Sequence, residues 1–214
     1  MNNLTLIVAI PFLAALFLAF IPRREKDLVQ PVAMMATLVT MVLAIILFVR
    51  FDAGAEGYQF VFKAPFAAAV GIFFHFGVDG INLGLILMGS IVGFAATCVS
   101  FGEIKEREKE FYILLLVMIG GILGSFASVD IFMFFFFHEF ALVPTFIMIG
   151  VWGRGDRKNY ATFKITIYLV VGSMIALFGL IALYLQAPEP RTFDMAELAR
   201  IFRENPIGAN EQNL

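Results

Sequence analysis

Six apolar stretches divide this chain at its charged loops: residues 3–21, 30–49, 79–101, 111–128, 130–151 and 163–185. Each is near the ~20 residues that an α-helix needs to cross ~30 Å of hydrocarbon. The pattern predicts an all-α, polytopic membrane protein with about six transmembrane helices. Composition agrees. The 214 residues are 61% hydrophobic and 15% charged, with a mean hydropathy of +0.91, whereas soluble domains are about 45–50% apolar and about 25% charged. The first stretch has neither a basic n-region nor a small-residue cleavage site, so it is expected to be retained as a span.

Several function classes fall away on composition. Cys98 is the only cysteine, which excludes an intrachain disulfide and a Cys-rich metal or iron–sulfur site, and His75 and His138 are too few for a multi-histidine haem or metal centre. Nucleotide loops and flavin motifs are missing from the sequence, so no cofactor is expected in this chain. Nor is a nucleic-acid partner expected, since no basic tract is long enough to follow a phosphate backbone. The expected surroundings are the lipid bilayer.

Two regions are expected: a transmembrane part, 1–186, and an extramembrane tail, 187–214. Inside the first, residues 64–76 (APFAAAVGIFFHF) are apolar but too short to span, and they contain Pro65 and Gly71. With the extended stretch before them they make an interfacial or re-entrant segment over 58–76. In the tail, APEP breaks the last span, Thr192 or Asp194 caps a short amphipathic helix over MAELARIF, and Asn205, Pro206 and Gly208 end it. Orientation follows from the loops. Arg23, Arg24 and Lys26, then Lys105, Arg107 and Lys109, then Arg154, Arg157 and Lys158 mark three cytoplasmic loops, whereas the longer loop between spans two and three holds only Arg50 and Lys63. Both termini are then expected on the outer face.

The residue of greatest interest is Glu139, alone in the run IFMFFFFHEFALVPTFIMIGVW, from Ile131 to Trp152. It lies near mid-membrane, where an ionised side chain costs on the order of 3 kcal/mol, so a chain keeps one there for an ion or proton site. A neutral glutamate hydrogen-bonded between helices is the structural alternative. Pro144 removes the backbone donor to the Phe140 carbonyl, one residue beyond the carboxylate; this either hydrates the site locally or is a plain kink. Lys164 either snorkels to the nearby interface or faces the carboxylate's helix. His138 adjoins Glu139 but points roughly 100° away around the helix, as a packing histidine or as a relay member. Asp79 and Asp130 fit helix caps. Gly80 and Gly84, Gly89 and Gly93, and Gly120 and Gly124 are spaced for close helix packing.

Taken together, GVDG at the head of a span, FASVDIFMFFFFHEFALVPTFIMIGVWG, ATFKITIY and the tail's TFDMAEL resemble the chain M family of bacterial proton-translocating NADH:quinone oxidoreductases, complex I. The resemblance runs over essentially the whole chain. Related antiporter-like subunits, including those of Mrp-type antiporters, share the general plan. It implies the N-terminal portion of an antiporter-like membrane-arm subunit in the cytoplasmic membrane. Such a subunit moves protons while partner subunits carry the redox chemistry. In the family the glutamate matching Glu139 pairs with a lysine on a broken seventh helix, and Lys164 looks like a family lysine on the sixth. His138 stands where many relatives have tryptophan. The family has about fourteen helices, so the partners expected are other membrane-arm subunits and, if the chain is a split subunit rather than a fragment, a chain carrying the missing helices. The alternatives are a subunit of a Mrp-type cation/proton antiporter and a non-pumping scaffold subunit.

Overall fold

In a computed structural model, residues 2–22, 26–189 and 191–204 are described. Arg23, Arg24, Asn205, Pro206 and Gly208, which entered the topology and the tail's end in sequence, lie outside the described residues. Six helices are long and apolar enough to cross a membrane: α1 (Asn3–Phe20), α2 (Val29–Arg50), α3 (Gly80–Val99), α4 (Glu108–Ala127), α5 (Ile131–Trp152) and α6 (Lys158–Gln186). The helical membrane fold expected from the sequence stands. Two helices start before their apolar stretches, α4 at Glu108 and α6 at Lys158. The charged first turns extend past the hydrocarbon, where water and headgroups solvate the side chains while the backbone continues its own bonding.

The segment expected to be interfacial or re-entrant is instead an antiparallel hairpin, β1 (Gln59–Ala67) and β2 (Ile72–Val78), with Lys63 opposite His75 and Pro65 opposite Phe73. Gly71, at φ +77°, supplies the left-handed turn residue at its tip. The aromatic and β-branched residues of 60–62 and 72–76 favour a pleated, half-buried surface. Pro65 is tolerated because a two-stranded ribbon is all edge. One exposed edge is used: the Val129 amide donates to the His75 carbonyl at 2.8 Å, so the α4–α5 connection pairs with β2.

α4 is the central helix and packs against α1, α3 and α5. Between membrane helices the hydrophobic effect offers little drive, so close van der Waals fit decides the packing. A Cβ placed on Gly121 would stand 2.6 Å from the Ala141 backbone nitrogen of α5, and one on Gly124 would overlap the Phe137 ring. Phe137 in turn lies 6.0 Å from the Phe12 ring of α1 and 5.7 Å from Phe76 of β2, tying three elements to α5. Gly89 and Gly93 of α3 receive Leu123 and Ile119 of α4, and Gly120 receives Phe12. Gly80 and Gly84 correct the sequence expectation, for nothing lies within 4 Å of a Cβ at either. Spacing alone does not say which helix face meets a neighbour. By contrast α6 leans on α5 and buries no residue of its own.

The caps read in sequence are present. Asp79 accepts from the Ile81 and Asn82 amides while Asn82 accepts from the Asp79 amide, and Asp130 accepts from the Met133 amide. At the face opposite the hairpin, Lys109 Nζ donates to the carbonyls of Ala19 and Ile21 at 2.9 and 2.6 Å, closing the C-terminus of α1.

Substituting Gly121→Val forces α4 and α5 apart and is expected to destabilise the bundle by about 1–3 kcal/mol. Gly84→Ala, with open space at the same kind of helical position, is expected to leave thermal unfolding in detergent unchanged or slightly raised.

Candidate functional site

The candidate site is built at the edge of the α4–α5 seam. The close backbone approach at Gly121 brings α5 residues 137–144 against α4, and Glu139 comes to one side of that contact. Leu114 and Val117 of α4 and Phe140, Val143 and Pro144 of α5 line a groove of 260 Å³ with Glu139, and its walls are wholly apolar. The Glu139 side chain is 36% exposed as a whole, yet its Oε1 is fully buried and has no hydrogen-bond partner among the described residues. Buried polar atoms are nearly always satisfied, and this oxygen shares its lack of a partner with Thr5 Oγ1 and the Tyr112 hydroxyl.

His138 Nδ1 stands 4.0 Å from this same Oε1. That exceeds a hydrogen bond but leaves the two groups in electrostatic reach. The imidazole also stacks at 6.2 Å on Phe134, one turn earlier. Lys164 goes elsewhere. On the exposed flank of α6 it extends toward the near end of its helix, with Nζ 6.0 Å from the Tyr160 ring. Among the described residues no ion pair joins it to Glu139. Pro144 leaves the Phe140 carbonyl without its helical donor, while Thr145 Oγ1 donates back to Ala141 at 2.8 Å.

A second cluster of titratable groups forms on the hairpin face, one that the sequence reading did not assemble. Asp194 Oδ2 accepts from Lys63 Nζ at 2.9 Å and lies 2.9 Å from His75 Nδ1, while Oδ1 caps the tail helix α7 (Met195–Glu204) at the Ala196 and Glu197 amides. The strands of chain around it are also bonded: Ile131 N to Phe193 O at 2.9 Å, and Met195 N to Val129 O at 2.9 Å. Fully buried Asp130 accepts from the Phe73 amide as well as from its own helix. Burial pushes the Asp194 carboxyl up, but the Lys63 hydrogen bond, the charges of His75 and Lys63 and the Glu197 amide outweigh it and hold the group below the usual carboxylate range. Only the cap role of Asp194 was visible in sequence. Lys63 and His75 face each other across the hairpin register, a relation that exists once the strands pair.

Comparison with known proteins agrees with the resemblance read from the sequence. Residues 128–214 match the family model described as "NADH:quinone oxidoreductase/Mrp antiporter, TM". NADH-quinone oxidoreductase subunit M of Rickettsia typhi is 31% identical over 97% of this chain and 42% of its own length. The chain thus spans about two-fifths of the length of that relative. Among solved structures, respiratory complex I from Thermus thermophilus with bound NADH contains a chain with a TM-score of 0.80 at 24% identity, matching 97% of this chain and 40% of that one. A chain of the Mrp complex from Dietzia sp. has the same fold at a TM-score of 0.74 and 16% identity, matching 91% of this chain and 20% of that one. The chain is similar to subunit M and shares its fold with chains of these two assemblies, and it is a multi-pass membrane protein.

The Asp194 cluster yields a pH prediction. A carboxyl held below its unfolded value stabilises the fold fully above the ordinary carboxylate range, about pH 4, and that contribution is lost as pH falls through the lowered folded value. Hydrogen exchange, corrected for intrinsic rates, is expected to show the amides of residues 196–198 less protected at about pH 3 than at pH 7. Asp194→Asn is expected to reproduce the loss at neutral pH. Equal protection in all three conditions counts against the tie.

Proposed function

We propose that this chain, similar over nearly its whole length to about two-fifths of subunit M, is a proton-translocating membrane-arm subunit of a NADH:quinone oxidoreductase. In this reading it is part of a translocase and carries no redox chemistry of its own. The observation that carries the proposal is the buried Oε1 of Glu139, unpartnered among the described residues, inside an apolar membrane span and beside an apolar groove. A relay group has to exist in two protonation states, and each must be reachable at modest cost. In the protonated state Glu139 is neutral and suits its apolar lining. The ionised state needs a cation or ordered water within a few ångströms, and the free oxygen is where either fits.

Within this mechanism His138 is the nearest titratable neighbour, 4.0 Å away, and a single water bridges such a gap. Protonated, it supplies positive charge beside the carboxylate; neutral, it takes a proton onward. Lys164 on α6 is a further relay candidate. Its long side chain reaches inward by rotamer change from the interface position beside Tyr160. The main cationic partner of Glu139 is supplied by a helix other than α1–α6, in the same polypeptide or in another. With the loops bearing Lys105, Arg107, Lys109, Arg154, Arg157 and Lys158 in the cytoplasm, the hairpin and both termini face outward from the cytoplasmic membrane. Other membrane-arm subunits are the partners.

A second reading, a subunit of a Mrp-type cation/proton antiporter, is favoured by the family model spanning both and by the shared fold. Glu139→Gln in the assembled complex, reconstituted in vesicles with a pH-sensitive dye, tests the proposal. The expected result is loss of the proton flux routed through this subunit, with normal assembly. Unchanged flux per NADH oxidised indicates a scaffold and overturns the relay. Flux that depends on sodium and persists without NADH favours the antiporter.

A further inference from the structure

Between α5 and α6, just below the hairpin tip, lies a cavity of 310 Å³ with almost no polar surface. Phe132 and Phe135 of α5 form one wall and Leu177, Leu180 and Ile181 of α6 the other. From Leu177 to Leu185 the slot follows eight residues of helix, about 12 Å of depth from the membrane face inward. Its roof is a stacked pair, Tyr184 on Phe193, with ring centroids 4.1 Å apart and planes within 4°.

Beside the roof lies a second cavity of 280 Å³ that shares Val70 and Tyr184 with the slot and is mostly polar. This mouth is lined by the hairpin tip, residues 68–71, and by Glu189 and Arg191. Arg191 sits 6.0 Å over the Tyr184 ring, and Tyr184 donates its hydroxyl to the Val70 carbonyl at 3.1 Å. Gly71 admits the tail at this point, since a Cβ there would meet the Arg191 carbonyl oxygen at 2.5 Å. No ion pair joins Glu189 to Arg191 among the described residues, and both are exposed. A narrow apolar slot at acyl-chain depth lies directly beneath a mouth that carries one cation and one anion. That pairing matches one class of molecule.

We propose that this site binds a single zwitterionic glycerophospholipid of the phosphatidylethanolamine type, with one acyl chain between α5 and α6. The phosphate pairs with Arg191 and the ammonium group with Glu189. An acyl chain fills space that lateral packing of α6 on α5 leaves open, and the headgroup fastens the tail to the end of α6. Charge complementarity decides the headgroup: an anionic lipid satisfies Arg191 but sets a second negative charge beside Glu189. The site is independent of the proposed proton relay, because none of its residues lines the Glu139 groove.

The test is native mass spectrometry of the protein in its membrane complex, exchanged into nanodiscs of phosphatidylethanolamine or of phosphatidylglycerol. One retained phosphatidylethanolamine per copy of the chain is expected, in preference to phosphatidylglycerol. Arg191→Gln with Glu189→Gln removes two charge-assisted contacts at an exposed position and is expected to lower retention about tenfold. Leu180→Trp fills the slot and is expected to abolish retention without touching the headgroup residues. No retained lipid, equal retention of the two lipids, or retention unaffected by the charge variants overturns the proposal.

Discussion

The structure depends on how closely the backbones of α4 and α5 approach each other. In a membrane, lipid tails are as apolar as the side chains they replace, so helices associate where they fit rather than where they hide from water. Gly121 lets the α5 backbone in between Phe137 and Ala141, and Gly124 leaves room for the Phe137 ring. Everything else on α5 takes its place from that contact. Phe137 reaches Phe12 and Phe76, so α1 and the hairpin are referred to the same point. Glu139 stands two residues further on, at the margin of the seam. It is therefore neither sealed into the bundle nor free on its surface.

Polar groups at the membrane faces do the work that apolar contacts do poorly here. On the hairpin face Asp130 and Asp194 accept from backbone amides of several segments, so that β2, the α4–α5 connection and α7 share one network. At the opposite face Lys109 closes α1, and Trp152 donates from Nε1 to the Glu106 carbonyl at 2.8 Å with Phe111 packed against its ring. Some of the charges that read as topology signals are thus also helix caps and loop ties. α6 has no buried residue and is held by its contact with α5 and, at its end, by Tyr184, which stacks on Phe193 and donates to the Val70 carbonyl.

Much of the helical architecture was legible because the membrane imposes a length and a composition on each span, and both are written locally in sequence. The caps at Asp79 and Asp130 were legible for the same reason, since a cap involves residues two or three apart. What sequence could not give is pairing between distant segments. The hairpin was missed because Pro65 and a run of alanines masked the period-two signal, and because its second edge partner is the α4–α5 turn, over fifty residues away. Likewise the glycine pairs look alike in sequence, and only the packing separates Gly120 and Gly124 from Gly80 and Gly84. Glu139 was legible as an anomaly; the state of its oxygens was not.

That state distinguishes this carboxylate from the others. Asp194 has both oxygens engaged, by two side chains and two amides, and its charge is matched by Lys63. Asp130 likewise accepts on both oxygens. These bonds tie each carboxyl to the segments packed around it. Glu139 has a buried oxygen with nothing on it, an imidazole just outside bonding distance and an apolar groove at its side. Its place at the margin of the α4–α5 seam leaves one oxygen without a partner among the described residues, where Asp130 and Asp194 have both oxygens engaged.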